Sequence, residues 1–176
     1  LLDGIDAVVG YSASGLLHGS VEPAGAAATA VDGSRAAWTF RGDPLPWLQE
    51  DDPVGDAGAA RLRGDAIEEA PVYAAWLRDE RLVARAAIPV ERISGPVMLV
   101  SGADDALWPS EAMSELACRR LRQHGHPYPV EHLVYPDAGH WIFLPHGPTL
   151  QSTAFAHPTD GRRYALGGTP RANAEA

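Results

Sequence analysis

The chain has 176 residues, of which 45% are hydrophobic, and a formal net charge of −9 with its histidines neutral. This size and composition are typical of a globular domain with its own core, and the acidic balance argues against nucleic acid or anionic lipid as a partner. No apolar run reaches the length of a membrane span, and the single cysteine, Cys118, favours a reducing compartment, so we expect a cytoplasmic protein.

The N-terminal third predicts one strand followed by irregular chain. Residues 5–10 form a short apolar run closed by glycine, which is typical of a buried strand. Residues 11–35 are small and show no clear period. Residues 36–56 contain several aromatic residues and three prolines, and proline at this density excludes a regular helix. We therefore expect an ordered but irregular segment there.

The rest of the chain predicts helices and strands in alternation. Residues 66–87 carry a broken helical stripe of apolar side chains, within which Pro71 suits a helix start. Apolar runs at 96–101 and 130–135 predict two strands, and residues 109–123 between them predict the clearest helix. A strand–helix–strand order with apolar strands predicts parallel pairing and a right-handed crossover.

The helix at 109–123 has recognisable boundaries. Ser110 can cap its first turn, and Gly125 can end it. After Gly147 the chain becomes polar and loses its periodicity, so we expect an irregular tail over residues 147–176. The predicted buried face of the helix consists of Met113, Leu116, Ala117 and Leu121.

Titratable residues follow both predicted strands. Asp104 and Asp105 come directly after the first strand, and His140 follows the second in a loop that contains glycine. A carboxylate there can orient a histidine and stabilise its cation, and parallel sheets place their sites at the carboxyl edge of the strands. The alternative is that the aspartates are solvated or cap a helix, as Asp residues do in ordinary turns.

A nucleophile is harder to find. Residues 10–14 read Gly-Tyr-Ser-Ala-Ser and resemble a Gly-x-Ser-x-Gly elbow, but the fifth residue is serine and one strand alone precedes Ser12. We therefore expect Ser12 to lie beyond hydrogen-bond reach of His140. Cys118 lies on the helix between the acid and the histidine, outside the usual order of nucleophile, acid and base, and is expected to be a packed core residue.

Two further groups have ordinary explanations. His124 and His126 flank a glycine after the helix, but two histidines in a turn without a nearby cysteine or an i,i+4 partner make a poor metal site. Arginines cluster at the end of the helix, where cations interact favourably with the helix dipole; they can also meet a phosphate. These arginines are Arg119, Arg120 and Arg122.

Several of these stretches together resemble the C-terminal domain of the acyl-CoA thioester hydrolases and bile acid-CoA:amino acid N-acyltransferases. The similarity runs through most of the chain and is densest over residues 86–146. The matching pieces are Gly-Ala-Asp-Asp-Ala-Leu-Trp-Pro-Ser at 102–110, Cys-Arg-Arg-Leu-Arg-Gln-His-Gly at 118–125 and Tyr-Pro-Asp-Ala-Gly-His at 135–140, with weaker echoes at 37–47 and in Gly-Gly-Thr-Pro at 167–170.

The resemblance implies the C-terminal part of an α/β-hydrolase fold, a mostly parallel sheet with flanking helices and a triad of Ser or Cys, Asp and His. The second aspartate of the family's Asp-Asp-x-x-Trp motif is the triad acid, which is Asp105 here, and His140 matches the triad histidine. We therefore expect the Asp105 carboxylate to lie nearer to the His140 ring than Asp104 does.

In that family the nucleophile precedes the strand that matches residues 5–10, and the last helix would begin near the C-terminus of this chain. We therefore expect residues 1–176 to form one partial domain that lacks the N-terminal strands and the last helix. The nucleophile and oxyanion hole would lie upstream. The parent protein would be an enzyme, and this chain alone would be inactive.

The substrate implied by the resemblance is an acyl-CoA or a related acyl ester, and no cofactor is needed. The acyl group would move from the CoA sulfur to the nucleophile and then to water or an amine, with His140 as base and then acid. Alternatives are a dienelactone-hydrolase-like or prolyl-oligopeptidase-like esterase or peptidase, and a non-catalytic domain that pairs its sheet edge with a partner. The acyl chain, the acceptor, the nucleophile and the oligomeric state stay open.

Overall fold

The computed structural model describes residues 6–19, 36–48, 61–142, 152–158 and 161–176. Its residues group into two compact units, whereas the sequence predicted one partial domain. The two units are considered separately below. The first comprises Leu1–Gly15, Pro89–Thr153 and Leu166–Ala176, and the second comprises Leu16–Ile88 and Ala154–Ala165.

The described residues form short strands and four α-helices, in a mixed α/β arrangement. None of these helices combines the length and apolarity needed to cross a membrane. The strands are β1 Val8–Tyr11, β2 Thr39–Phe40, β3 Asp43–Pro44, β4 Arg61–Arg63, β5 Ala66–Glu68, β6 Val97–Gly102, β7 Val130–Tyr135, β8 Ala154–Ala156 and β9 Arg163–Ala165, and the helices are α1 Ala70–Trp76, α2 Glu80–Ala86, α3 Ser110–Gln123 and α4 Pro170–Glu175.

The first unit is built on a three-stranded parallel sheet in the order β1-β6-β7. This confirms the predicted strands at 96–101 and 130–135 and their parallel pairing. Val97 of β6 pairs with Val8 on one side and Val130 on the other, so the strands run in register from the same end. β1 begins at Val8; Ile5, where the predicted strand started, lies outside the described residues.

Helix α3 covers one face of this sheet, and three residues of its predicted apolar face, Met113, Ala117 and Leu121, are buried, whereas Leu116 is half-buried. Met113 and Leu121 are fully buried, and burying a side chain of this size stabilises the fold by roughly 1.5–3 kcal/mol. The cluster between helix and sheet contains Val97, Leu99, Ala117, Cys118 and Leu121, with Val8, Ala13, Val90, Ile93 and Val130 packed against it.

The start of α3 differs from the prediction. Pro109 occupies the N-cap position and makes no side-chain hydrogen bond. Ser110 is the first helical residue; it is fully buried, and its hydroxyl donates to the carbonyl of Gly102 instead of to the helix's own amides. The prediction that Ser110 caps the helix is therefore wrong, because burial against the end of β6 turns its hydroxyl toward the strand.

The end of α3 follows the prediction. Gly125 adopts a φ of +66°, a left-handed conformation that favours glycine. Its amide donates to the carbonyl of Arg122, and the amide of His126 donates to the carbonyl of Leu121. These two bonds form a Schellman motif, which satisfies carbonyls that the helix leaves open at its C-terminus.

The other face of β6 packs against the C-terminal part of the chain. A second cluster joins the strand to the loop after β7 and to α4. Thr169 caps α4 by accepting a hydrogen bond from the amide of Ala172, and Pro170 occupies its first turn. The cluster contains Val100, Ala138, Ile142 and Ala176, with Met98, Tyr135 and Ala172 against it.

The second unit contains a separate four-stranded sheet, in the order β4-β5-β9-β8, and helices α1 and α2. Its apolar core holds His18 edge-on against Tyr73, where burial lowers the pKa of the histidine to about 4. The buried residues of this core are Leu16, Leu48, Trp76, Leu82 and Ala86.

The single helix predicted over residues 66–87 is wrong in two respects. Residues 66–68 form strand β5, which pairs with β4 through a turn at Gly64, where φ is +68°. The remaining helix is broken before Asp79, whose carboxylate caps α2 by accepting from the amides of Arg81 and Leu82. Pro71 does lie in the first turn of α1, as predicted.

The prediction of an irregular tail also fails for the described residues after Gly147. Strands β8 and β9 pair with each other, and Tyr164 of β9 pairs with Ile67 of β5. Each of these strands has three residues, too few for a recognisable alternation, and β9 also pairs with β5 from a distant part of the chain. No local periodicity reveals such a strand, which is why the sequence pattern missed it.

Candidate active site

Asp105 lies in a short turn between the carboxyl end of β6 and the start of α3. Its side chain is 1% exposed, which is costly for a carboxylate unless its oxygens accept hydrogen bonds. Oδ1 accepts from the amides of Leu107 at 3.0 Å and Trp108 at 3.2 Å. These bonds fix the carboxylate and leave Oδ2 pointing away from the turn.

His140 lies in the loop after β7, at the same edge of the sheet. Its Nδ1 is 3.0 Å from Oδ2 of Asp105. The predicted contact between Asp105 and His140 is therefore confirmed, and no hydrogen bond joins Asp104 to the ring. Two strands that run in parallel bring the acid and the histidine together because their carboxyl ends meet at one edge.

This geometry determines the form of the imidazole. A carboxylate at Nδ1 accepts a hydrogen bond, so the neutral ring carries its proton on Nδ1 and its lone pair on Nε2. The His140 side chain is 14% exposed, and among the described residues no hydrogen bond engages Nε2. The pair can therefore remove a proton from a group presented at Nε2 and stabilise the resulting cation.

Trp108 supports the ring from one side. The indole and imidazole centroids are 4.6 Å apart with planes at 88°, an edge-to-face contact. The indole Nε1–H donates to the carbonyl of Ser12 at 2.9 Å, which ties the loop after β1 to the acid turn. The sequence analysis included Trp108 in a motif without giving it a role; its place three residues after Asp105 was the available signal.

Ser12 contacts His140 at the backbone, whereas the prediction concerned the hydrogen bond to the imidazole that a nucleophile would need. The Ser12 hydroxyl donates to the carbonyl oxygen of His140 at 2.7 Å, and the residue is 4% exposed. Its φ of +43° is unusual for serine, while its amide continues the ladder by donating to the carbonyl of Val100. The hydroxyl proton is thus committed to a carbonyl that cannot act as a base.

The other candidates from the sequence lie elsewhere. Cys118 lies on α3 and is buried against the sheet, and burial raises the pKa of its thiol, which keeps it protonated and unreactive. His124 contacts the carbonyl of Arg120, and His126 contacts that of Gly95. Across the described ranges no group of three or more His, Cys, Asp or Glu residues is arranged to hold a metal ion.

Two of the three arginines at the end of α3, Arg120 and Arg122, are engaged in ion pairs. Arg120 binds the carboxylate of Glu91, and Arg122 contacts Glu115 at 2.6 Å. The Arg120 guanidinium lowers the pKa of Glu91 to about 2, chiefly through its hydrogen bond. These contacts favour a structural role for the cluster over phosphate binding.

A second serine–histidine contact escaped the sequence analysis. Nε2 of His132 lies 3.1 Å from Oγ of Ser101, which also donates to Oγ of Ser114 at 2.9 Å. Ser101 is fully buried between β6 and α3. Its hydroxyl has no route to a substrate, so this group is a polar link between strand and helix.

Comparison with known proteins identifies the relatives of this chain. A model of the family "BAAT / Acyl-CoA thioester hydrolase C terminal" matches residues 71–176, more than half of the chain and the part that contains Asp105 and His140. Acyl-coenzyme A thioesterase 1 of Homo sapiens is 38% identical over 89 residues, which are 51% of this chain and 20% of that protein.

Two further relatives align over a similar stretch. Acyl-coenzyme A thioesterase 2, mitochondrial, of Homo sapiens is 38% identical over 89 residues, or 51% of this chain and 18% of that protein. Acyl-coenzyme A amino acid N-acyltransferase 1 of Mus musculus is 36% identical over 89 residues, or 51% of this chain and 21% of that protein. The chain thus spans about a fifth of the length of the curated relatives it matches.

Proposed function

The chain belongs to the BAAT / acyl-CoA thioester hydrolase C-terminal family, and from this we propose that it carries the acid and the base of an acyl-transfer site that acts on acyl-CoA thioesters. The observation that carries the proposal is the hydrogen bond between Nδ1 of His140 and the buried carboxylate of Asp105. Asp105 holds the ring in the tautomer that leaves Nε2 basic, and Nε2 is the atom that takes the proton from the nucleophile.

The reaction has two steps. His140 takes the proton of a serine hydroxyl or cysteine thiol as that group attacks the thioester carbonyl, and the tetrahedral intermediate expels CoA, whose sulfur receives the proton. His140 then takes a proton from water or an amine, which attacks the acyl-enzyme and regenerates the nucleophile. Water gives a thioesterase and an amine gives an acyltransferase.

The nucleophile in this proposal lies N-terminal to the chain, in the full-length protein. Two features support that position: the Ser12 hydroxyl donates to a backbone carbonyl, and the Cys118 thiol is buried with a raised pKa. The family order of nucleophile, acid and histidine also places it before Asp105. Cytoplasmic location stays a prediction, testable by cell fractionation.

The proposal is tested by measuring CoA release from a series of acyl-CoAs by the full-length protein, with and without an amino acid acceptor. We expect His140→Ala and Asp105→Asn to lower kcat by roughly 10³-fold or more, since each removes the base or its tautomer. His124→Ala is the matched control, because His124 is exposed at the end of α3 and should leave the rate unchanged.

The outcome also separates the alternatives. CoA release that is insensitive to His140→Ala would rule out this residue as the base. Hydrolysis of esters or peptides without hydrolysis of acyl-CoA would favour the other α/β-hydrolase classes. A well-folded full-length protein that turns over none of these substrates would favour a non-catalytic role.

A further inference from the structure

We propose that Asp104 and Asn173 are positioning residues that set the alignment of Asp105 with His140 by fixing residues 166–168, here called the linking segment, between the two loops. This inference rests on the proposed function for its consequence in catalysis. Its structural basis is independent and lies in the hydrogen bonds of the segment.

The linking segment is bonded to the backbone of His140 and pairs with the turn that carries Asp105. The carbonyl of Leu166 accepts from the amide of His140 at 2.7 Å and from the amide of Ala106 at 3.4 Å. Gly167 forms an isolated β-bridge with Asp105. The acid turn and the histidine loop are therefore each held to one piece of chain, and a shift of that piece moves one relative to the other.

The packing leaves no room for a side chain at Gly167 or at the facing Gly139. A Cβ added to Gly139, next to His140, would lie 2.3 Å from the backbone carbon of Gly167. A Cβ on Gly167, whose φ is +76°, would lie 1.8 Å from the carbonyl oxygen of Asp104. Backbone thus packs directly on backbone between the two loops, so a small displacement is transmitted without being absorbed by flexible side chains.

Asn173 holds this assembly from α4. It is fully buried, and its Oδ1 accepts from the amide of Gly139 at 2.6 Å, while its Nδ2 donates to the carbonyl of Gly167 at 3.4 Å. One amide side chain therefore binds the histidine loop and the linking segment together. A buried asparagine with both ends bonded is costly to replace, because each lost bond strands a backbone group without a partner.

Asp104 holds the segment from the other side. Its Oδ2 accepts from the amide of Gly168 at 2.9 Å. The adjacent aspartates therefore have different partners. Asp105 contacts the imidazole of His140, and Asp104 binds the linking segment, to which the loop of His140 is bonded. This difference explains why the sequence has two adjacent aspartates although only Asp105 of the two is bonded to the His140 ring.

The decisive comparison uses Asp104, which is partly exposed and tolerates substitution better than Asn173. Asp104→Ala removes the acceptor for Gly168, and Asp104→Asn keeps a neutral acceptor oxygen at the same place. In the full-length protein we expect Asp104→Ala to lower kcat for CoA release roughly tenfold with little change in KM, because a misplacement of catalytic groups by a fraction of an ångström has effects of this order. Asp104→Asn should restore most of the lost rate.

A spectroscopic measurement keeps the test independent of turnover. Protein labelled with ¹⁵N-histidine shows the Nδ1–H of His140 as a downfield proton that His140→Ala removes. We expect this signal to shift or broaden in Asp104→Ala and in Asn173→Leu, and to return toward its wild-type position in Asp104→Asn. Circular dichroism and thermal melts establish that the variants compared are folded.

The possible results distinguish a failure of this inference from a failure of the proposed function. Wild-type kcat together with an unchanged Nδ1–H signal in Asp104→Ala would overturn the inference, as would a loss that Asp104→Asn fails to restore. A wild-type protein that releases no CoA would refute the proposed function alone, since the proton signal still reports whether Asp104 and Asn173 align the pair. If Asn173→Leu does not fold, the two Asp104 variants carry the test.

Discussion

At the scale of single residues, the chemistry of the site depends on how Asp105 is bonded. Three hydrogen bonds converge on its buried carboxylate, two from backbone amides and one from His140. The amides hold Oδ1, and Oδ2 is thereby oriented toward Nδ1 of His140. The buried carboxylate and the partly exposed imidazole are thus held in one fixed arrangement.

The ion pair between Glu91 and Arg120 gives a prediction about pH and stability. The pKa of Glu91 falls from 4.5 to about 2 in the folded protein. Because the folded pKa is the lower one, the pair stabilises the fold fully above about pH 4.5, and this contribution is lost as pH falls toward 2. We expect Glu91→Gln to lower the free energy of unfolding by about 1–2 kcal/mol at pH 7, and the difference from wild type to shrink below pH 4.5.

Urea denaturation at several pH values between 7 and 3 measures this difference. Glu175→Gln is the control, since Glu175 forms an exposed i,i+4 pair with Arg171 and should change stability by no more than about 0.5 kcal/mol. A Glu91→Gln effect that stays constant across the pH range would show that the ion pair is not its cause.

Among the site residues, the sequence indicated those that a motif marks. Asp105 and His140 follow apolar strands and match a family pattern, so their contact was predictable. The role of Asn173 was not predictable, because an amide bonded across 34 residues leaves no local pattern, and the motif marks Trp108 without indicating its contact with the imidazole. The positive φ of Ser12 was also invisible, since it depends on contacts with two distant loops.

At the scale of elements, α3 and β7 matched their predictions because their signals are local. The helix has an apolar face and a terminal glycine, and the strand is a short segment rich in β-branched and aromatic residues that follows a turn. Strands β5, β8 and β9 were missed because three residues are too few to show an alternating pattern. The break before α2 carried a local signal in Asp79, which the apolar stripe across residues 66–87 obscured.

Two glycines at element ends should respond very differently to alanine. Gly125 has a φ of +66° with no atom within 4 Å of an added Cβ, so Gly125→Ala should cost about 1 kcal/mol from backbone strain alone. Gly139→Ala places a methyl group 2.3 Å from the backbone of Gly167, and we expect a loss of about 3 kcal/mol or more. Equal midpoints of urea denaturation for the two variants would contradict the close packing of the histidine loop on the linking segment.

At the scale of the whole molecule, the sheet that carries the site leaves apolar side chains in water. Val9 on β1 is 53% exposed and Leu133 on β7 is 41% exposed. Within the described residues these strands are the two edges of the sheet, and exposed apolar edges promote association. We therefore expect residues 1–176, expressed alone, to be inactive and prone to associate.

The most direct test of the central claim locates the acyl group during turnover. The full-length protein is mixed with an acyl-CoA, quenched in acid within one turnover, and analysed by intact mass and peptide mapping. The account predicts an acyl adduct on a serine or cysteine N-terminal to Leu1, which forms in wild type and fails to form in His140→Ala and in residues 1–176 alone. An adduct on Ser12 or Cys118, or one that forms equally well without His140, would contradict it.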